Sequence, residues 1–289
     1  MMTLDTLNKL PQEEAFAHLE KCCVASTWIE QMLLERPYTS ADDLIQKAAA
    51  AWFQTCSEED YLDAFSGHPK IGDVTSLKEK FKASKEWAGK EQSGVNEASS
   101  ETIEALAKAN TDYEEKFGYI FIVSASGKSA EDMLAIINAR ILHIEADEMR
   151  VAMNEQHKIT VIRLVKLIEG LSDSKFINSH ITTHALDTTQ GKPASGMLIS
   201  LGQQTDHGIL PISVGITNTD GRISDLLAPG CGLNSGHYCM TFNTEDYYNN
   251  NNQMGLYPEV TIQFKVTDEK HYHIPLLINP FGYSTYRGS

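Results

Sequence analysis

The most restrictive feature of this sequence is its uneven distribution of glycine and proline. Residues 1–172 contain 7 Gly and 3 Pro, whereas residues 173–289 contain 12 Gly and 6 Pro. Charge is distributed the other way, with 18 Lys/Arg and 29 Asp/Glu in the first part but only 6 and 10 in the second. Many charges with few breakers favour solvated helices, while sparse charge with frequent turn residues favours short strands. We therefore predict an all-α domain, residues 1–171, followed by an all-β domain, residues 178–289.

Helical spacing is clear in the first part. Ala15, Leu19, Cys22/Cys23 and Ser26 follow it, and another apolar helix is predicted from Glu155 to Leu171. Ser129-Ala130-Glu131-Asp132 has the pattern of a capping box. The apolar stretch FGYIFIV is ambiguous, because periodicity alone does not separate buried extended chain from the start of a helix.

The second part of the sequence is predicted to form a β-sandwich. After the polar link GLSDSKFINS, short apolar runs alternate with turn residues, a pattern that is typical of a β-sandwich. The predicted runs are HITTHALD, MLISLGQQ, ISVGITNTDGRISDL, HYCMTFNTEDYY, VTIQFKVTD and HYHIPLLI.

Bulk properties restrict the class of partner. The formal net charge of -15 and pI ≈ 5.1 argue against a nucleic-acid or anionic-membrane partner. The N-terminus lacks a signal-peptide pattern and no apolar run reaches the length of a membrane span. Five cysteines without secretory context predict reduced thiols and an intracellular, soluble protein. Without a terminal SKL-like tripeptide, peroxisome and cytosol both stay open.

Cys231, His237 and Cys239 could suggest a metal site but lack a fourth ligand with the usual paired spacing.

A first cluster of chemical groups centres on His68. It lies on a turn fixed by Gly and Pro, a rigid presentation that suits an acid–base residue. Glu91 could orient the imidazole, and Arg163 on an apolar helix face requires an anion to neutralise it. The alternative is a structural Glu–Arg ion pair with an unconnected histidine.

The segments HPKIGD, W-x3-EQ, KFGYIFIVSASGKS and HKITVIRL resemble the cofactor-free decarboxylases of 2-oxo-4-hydroxy-4-carboxy-5-ureidoimidazoline (OHCU). The resemblance implies a helical decarboxylase domain over residues 1–171. It also implies site residues, which are catalytic His68, Glu91 and Arg163 and substrate-binding Pro69, Gln92, Ile122 and Val123. Ala88 stands where the family often has serine, so one hydrogen bond to the substrate is expected to be missing.

A second cluster is drawn from distant strands of the second part. His184 lies in the first predicted strand, with His180 four residues earlier on the same face of a regular strand. Arg222 follows the turn pair Asp220-Gly221, and His273 precedes the terminal YRGS. Imidazole, guanidinium and phenol groups together suit water activation on a polar heterocycle, although each alone could be a satisfied surface residue.

THALDTTQGKPASG, TNTDGRI and YHIPLLINPFGYSTYRGS resemble the transthyretin-related 5-hydroxyisourate hydrolases. The resemblance implies that His184 and His273 activate water and that Arg222 binds or polarises the substrate. Tyr286 and Ser289 would complete the pocket, and the role of His271 stays open.

Two other functions are compatible with the second part. The transthyretin sandwich also serves as a hormone and carrier-protein binder, so the fold alone does not decide function. His271, His273 and His184 could alternatively be three zinc ligands.

The two resemblances describe consecutive reactions. We therefore expect a bifunctional urate-degrading enzyme that hydrolyses 5-hydroxyisourate and decarboxylates OHCU to (S)-allantoin. Its expected partners are these small-molecule substrates, with no cofactor and no metal. Resemblance also implies a homo-oligomer, either a dimer or a tetramer.

Overall fold

Helices form the first part of the chain and strands most of the second. The computed structural model describes residues 1–68, 100–125, 128–206, 208–268 and 270–288. The helices are α1 (Leu4–Lys9), α2 (Gln12–Glu20), α3 (Ser26–Leu34), α4 (Ala41–Ala50), α5 (Glu58–Ser66), α6 (Ser100–Phe117), α7 (Ala130–Arg140), α8 (Glu145–Leu167) and α9 (Thr244–Asn250). The strands are β1 (Ile181–Asp187), β2 (Lys192–Pro193), β3 (Leu198–Thr205), β4 (Gly208–Ile216), β5 (Arg222–Ile223), β6 (Gly236–Asn243), β7 (Glu259–Val266), β8 (Tyr272–Asn279) and β9 (Gly282–Thr285). The predicted fold class is confirmed.

The helix boundaries follow capping chemistry and refine the sequence expectations. The capping box at Ser129 is confirmed, because Ser129 and Asp132 each accept the backbone N–H of the other. The continuous helical spacing from Ala15 to Ser26 is wrong, since α2 ends at Glu20 and the chain turns before α3. Helix α8 begins at Glu145, ten residues before the predicted start. Its first two turns are too polar for the apolar pattern to reveal, although acidic residues there suit a helix N-terminus.

The ambiguous FGYIFIV stretch begins at Phe117, the last residue of α6, and then leaves the helix. Residues 119–125 lie in neither helix nor strand, yet most of their side chains belong to the helical core. Their backbone groups therefore need partners from side chains. Arg140 Nη1 donates to the Ile122 carbonyl at 2.8 Å, and a Glu155 oxygen accepts the Ser124 N–H at 2.7 Å.

A buried ion pair joins α7 to α8. Arg140 and Glu148 are both 0% exposed, and Nε of Arg140 donates to Oε1 of Glu148 at 2.8 Å. Tyr113 and His143 also hydrogen-bond this carboxylate. Burial alone would raise the pKa of Glu148, but Arg140 and these hydrogen bonds outweigh it and lower the pKa. The pair is therefore charged in the core.

Two sheets form the sandwich of the second part. One sheet has the strand order β2-β1-β8-β9, with β5 also paired to β1, and the other has the order β4-β3-β6-β7. Strand β1 runs parallel to β8, so that Thr182 faces His273. It runs antiparallel to β5, so that His184 faces Arg222. These registers bring the second predicted cluster together.

The run HYCMTFNTEDYY is not one strand, as predicted, but a strand followed by a helix. Strand β6 ends at Asn243, whose side-chain oxygen accepts the Asp246 N–H at 3.0 Å and caps α9. An asparagine cap with two acidic residues in the first turn favours a helix, and this helix buries Tyr247 and Tyr248. The polar segment from Asn249 to Gln253 therefore begins inside α9.

Helix α8 also contacts the sandwich. Nε2 of His157 lies 2.9 Å from the Pro229 carbonyl oxygen, and the Asn154 amide donates to the Ile212 carbonyl at 3.2 Å. Gly230 adopts a left-handed φ of +77°, and a Cβ added there would lie 2.9 Å from the Ile45 carbonyl oxygen. A glycine is thus required where the second part approaches α4.

Among the helices that the structure describes, none has both the length and the apolar character that a membrane crossing requires.

We expect Arg140→Met to lower the free energy of unfolding of the helical part by about 3–5 kcal/mol, because Glu148 is left charged and uncompensated in the core. Urea denaturation followed by far-UV circular dichroism measures the loss. The double variant Arg140→Met/Glu148→Leu should recover part of it. A single variant as stable as wild type would contradict the ion-pair interpretation.

Candidate active sites

His68 lies immediately after α5, where the chain approaches the turn between α2 and α3. Its backbone N–H donates to the Phe65 carbonyl at 3.1 Å and closes the helix end. A Cβ on the preceding Gly67 would lie 2.8 Å from a Val24 methyl group. The small residue therefore allows the close approach of the His68 segment to the turn between α2 and α3.

Helix α8 supplies the partners of this histidine. Nε2 of His68 lies 2.6 Å from Oε1 of Gln156, and Nη2 of Arg163 lies 3.5 Å from Nδ1 of His68. Nη1 of Arg163 donates to the Cys22 carbonyl at 3.1 Å, which anchors the guanidinium. The predicted pair His68 and Arg163 is thus brought together, with Gln156 as a third member.

The thiols beside Arg163 are neutral. Burial is the largest cause that raises the pKa of Cys22 to about 12 and that of Cys23 to about 11, although Arg163 acts in the opposite direction. No thiolate on these two residues therefore cancels the guanidinium charge at neutral pH.

The other residues predicted for the first site fall into two groups. Ile122 and Val123 are buried in the helical core, with the Ile122 carbonyl bound to Arg140. Their contact with substrate stays a prediction. Four positions of the first site lie outside the described residues, namely Pro69, Ala88, Glu91 and Gln92. Ser289 of the second site also lies outside them.

The second site lies on one face of β1, β5 and β8. His184 and Arg222 face each other across β1 and β5. The oxygen of Thr182, two residues before His184, lies 2.9 Å from Nδ1 of His273 and 2.9 Å from Nε2 of His271. The predicted residues His184, Arg222 and His273 therefore gather with Thr182 as an unpredicted link.

A tight turn fixes Arg222. Its N–H donates to the side chain of Asn218 at 2.9 Å, and the Asn218 N–H donates to the Arg222 carbonyl at 2.9 Å. Gly221 has a φ of +69°, and a Cβ there would lie 2.3 Å from the Ala185 carbonyl oxygen. The glycine in the TNTDGRI segment is therefore required for β5 to reach β1.

Both site histidines favour the neutral form. Burial first, and the Arg222 guanidinium second, lower the pKa of His184. The same two causes lower the pKa of His273, with smaller contributions from His184 and His271. Neutral imidazoles beside a guanidinium can take a proton from water.

The C-terminal tail packs against this site. The Gly288 N–H donates to the His273 carbonyl at 3.1 Å, and a Cβ on Gly288 would lie 2.2 Å from the His273 ring. Tyr286 is 55% exposed, so its phenol faces solvent in the single chain.

The histidines do not form the alternative zinc arrangement. His271 and His273 direct ring nitrogens to the Thr182 hydroxyl. Nδ1 of His180 accepts the Leu233 N–H at 3.1 Å, so this residue is engaged away from His184. Within the described ranges, no three His, Cys, Asp or Glu side chains are grouped as metal ligands, the Cys231–Cys239 loop included.

Comparisons with known proteins match the two parts of the chain separately. The OHCU decarboxylase family model matches residues 8–165, and the HIUase/Transthyretin family model matches residues 181–288. The chain is 31% identical to the uric acid degradation bifunctional protein TTL of Arabidopsis thaliana, over 93% of this chain and 96% of that protein. It is 41% identical to a 5-hydroxyisourate hydrolase of Deinococcus radiodurans, over 38% of this chain and 95% of the hydrolase.

A crystal structure of (S)-allantoin synthase is also similar, with 23% identity and a TM-score of 0.47 over 100% of both chains. The assignment depends on the sequence matches, since one family model spans more than half of the chain and the TTL match spans nearly all of it. This chain therefore belongs to the bifunctional uric acid degradation family, in which an OHCU decarboxylase domain precedes a domain of the HIUase/Transthyretin family.

Proposed function

We propose that the C-terminal domain, residues 178–289, hydrolyses 5-hydroxyisourate to OHCU and that the N-terminal domain, residues 1–171, decarboxylates OHCU to (S)-allantoin and CO2. One observation carries the proposal, namely that two matched families on a single chain each coincide with a separate histidine–arginine cluster. A carrier function for the sandwich would not require His184 and Arg222 to face each other.

For hydrolysis, water is the nucleophile and the imidazoles act on its proton. His184 and His273 are the general bases, because their lowered pKa values keep them neutral near pH 7. Arg222 binds the polar substrate and stabilises the negative charge that develops when water adds to the ring. The Thr182 hydroxyl holds the His273 ring in place. Tyr286 and Ser289 complete the pocket.

For decarboxylation, the bond between the ring carbon and its carboxylate breaks, and its electron pair moves into the conjugated ring. Arg163 binds the carboxylate, while His68 takes the proton of the hydroxyl on the same carbon. Glu91 is assigned to orient His68, and Pro69, Gln92, Ile122 and Val123 to line the pocket, from the family resemblance. Protonation from one face then gives a single enantiomer.

We further propose an intracellular homo-oligomer, in the cytosol or the peroxisome. All five cysteines are free thiols, as a reducing compartment would maintain them. Phe281 (76% exposed), Tyr283 (47%) and Tyr286 (55%) follow one another near the C-terminus, and exposed aromatic side chains are typical of surfaces that subunits bury.

Sedimentation-velocity ultracentrifugation tests the assembly. We expect a dimer or tetramer of the 32.1 kDa chain. The variant Tyr283→Glu, which places a charge on the exposed aromatic surface, should shift the species towards the monomer. A wild-type chain that sediments as a monomer at micromolar concentration would contradict the proposal.

We expect His68→Ala to lower kcat of decarboxylation by roughly 10²–10⁴-fold, the range of a general acid–base group, while hydrolysis continues unchanged. Urate oxidase generates 5-hydroxyisourate in situ, its disappearance is followed by absorbance, and (S)-allantoin is followed by circular dichroism.

The reciprocal variant is the matched control. His184→Ala should slow the disappearance of 5-hydroxyisourate by a comparable factor and leave decarboxylation of supplied OHCU intact. Wild-type formation of optically active allantoin by His68→Ala would refute the role of His68.

The pH dependence of hydrolysis tests whether the charge of Arg222 lowers the pKa values of His184 and His273. Because the pKa values of His184 and His273 are lowered, the loss of activity on acidification should occur at lower pH than for an ordinary histidine. Arg222→Gln removes a cause of the lowering, so the acid limb of kcat/KM should move to higher pH. The exposed Lys265 of the other sheet provides the control Lys265→Gln, which should not move it. An acid limb that is unchanged in Arg222→Gln would contradict this electrostatic role.

A further inference from the structure

The hydrogen bonds of Gln156 have a fixed direction. The Thr160 hydroxyl donates to the Gln156 main-chain carbonyl at 3.1 Å, so its hydrogen is used and its oxygen can accept. The side-chain NH2 of Gln156 donates to this oxygen at 3.2 Å. The other end of the amide, Oε1, is therefore the end that faces His68.

This direction determines the tautomer of His68. An amide oxygen only accepts, so the 2.6 Å contact requires a hydrogen on Nε2 of His68. Nδ1 then carries the lone pair, in agreement with its contact to a guanidinium, which only donates. Two lines of donor and acceptor assignment, one through Thr160 and Gln156 and the other through Arg163, agree on one protonation pattern.

We propose that Gln156 is a positioning residue of the decarboxylase site, which holds the neutral His68 with its hydrogen on Nε2 and its basic lone pair on Nδ1 beside Arg163. This inference rests on the proposed function of the site. The contact from Arg163 to Nδ1 is 3.5 Å, longer than a normal hydrogen bond, so it is readily exchanged for a substrate. A carboxylate bound by Arg163 would then place its neighbouring hydroxyl at Nδ1, the atom that takes the proton.

The surroundings of the cluster support a fixed imidazole. Gln156 is 1% exposed and Thr160 is 1% exposed, so water does not compete for their hydrogen bonds. Among the described residues, the charged groups that act on the neutral thiols Cys22 and Cys23 next to Arg163 include Arg163 itself, Lys21 and Asp60. The 2.6 Å contact to Gln156 is the shorter of the two His68 contacts described above.

The test compares two substitutions of Gln156. Gln156→Leu removes the acceptor, so kcat of decarboxylation should fall by roughly 10- to 100-fold, a part of the effect of a general base, with a smaller change in KM. Gln156→Glu keeps an acceptor for the Nε2 hydrogen but adds negative charge, which favours the imidazolium. Its acid limb of kcat/KM should therefore move to higher pH, while much of the activity above that limb is kept.

Two controls separate positioning from folding. Hydrolysis of 5-hydroxyisourate by the same variant chains should stay within about twofold of wild type, as expected for distant independent sites. Gln54→Leu makes the same chemical change at an exposed position and should leave decarboxylation unchanged. Thr160→Val, which frees the Gln156 amide to flip, should reproduce part of the loss, and Thr160→Ser should restore it.

The outcomes distinguish this inference from the proposed function. Wild-type kcat and pH profile in Gln156→Leu would overturn the role of Gln156 and leave the function standing. If the wild-type chain itself fails to decarboxylate OHCU, ¹⁵N NMR of the His68 ring still tests the inference. An Nε2–H tautomer that is lost in Gln156→Leu supports it, and an Nδ1–H tautomer in wild type overturns it.

Discussion

Helix α8 carries buried polar side chains along most of its length, and both parts of the chain depend on how these groups are satisfied. Glu148 faces Arg140, Glu155 accepts the Ser124 N–H, and Gln156 faces His68. His157, on a different face, contacts the Pro229 carbonyl of the sandwich. Because each unpaired buried polar group costs about 1–3 kcal/mol, these bonds together fix the rotation of the helix. The rotation that satisfies the core also directs Arg163 to His68 and the opposite face to the second domain.

The composition of the sequence was sufficient to predict the order of the two folds, because charge and breaker frequency differ between the parts. Composition was not sufficient to predict segments whose burial or backbone conformation depends on contacts with other parts of the chain. The first turns of α8 contain Glu148, which is buried only because Arg140 meets it there. Helix α9 follows β6 without a loop, since the Asn243 cap changes the backbone within one residue. The FGYIFIV segment has no clear periodicity, and backbone groups in and just after it are bonded by side chains distant in sequence. Its conformation could therefore not be predicted from its own residues.

At the sites, the sequence pointed to residue types that are costly to bury, such as Arg163 and His184, because such groups need a hydrogen-bond or ion-pair partner. It missed Gln156 and Thr182, which are ordinary in a helix and a strand. A usable signal was nevertheless present. Gln156, Thr160 and Arg163 follow one another at intervals of four and three, which is a polar stripe on one face of a helix. In the same way, Thr182 shares the strand face of His184, two residues away.

The two sites use the same kind of residue pair, an arginine next to a histidine, on two unrelated folds. With a formal net charge of -15, the chain as a whole repels an anionic substrate, so attraction must come from a local cation. Each site brings a guanidinium to an imidazole, Arg163 to His68 through helix packing and Arg222 to His184 through strand register. In the proposed mechanism the guanidinium attracts the anion, and at the second site Arg222 also lowers the pKa of His184. One pairing would therefore supply both the substrate binding and the neutral base that the proposed hydrolysis requires.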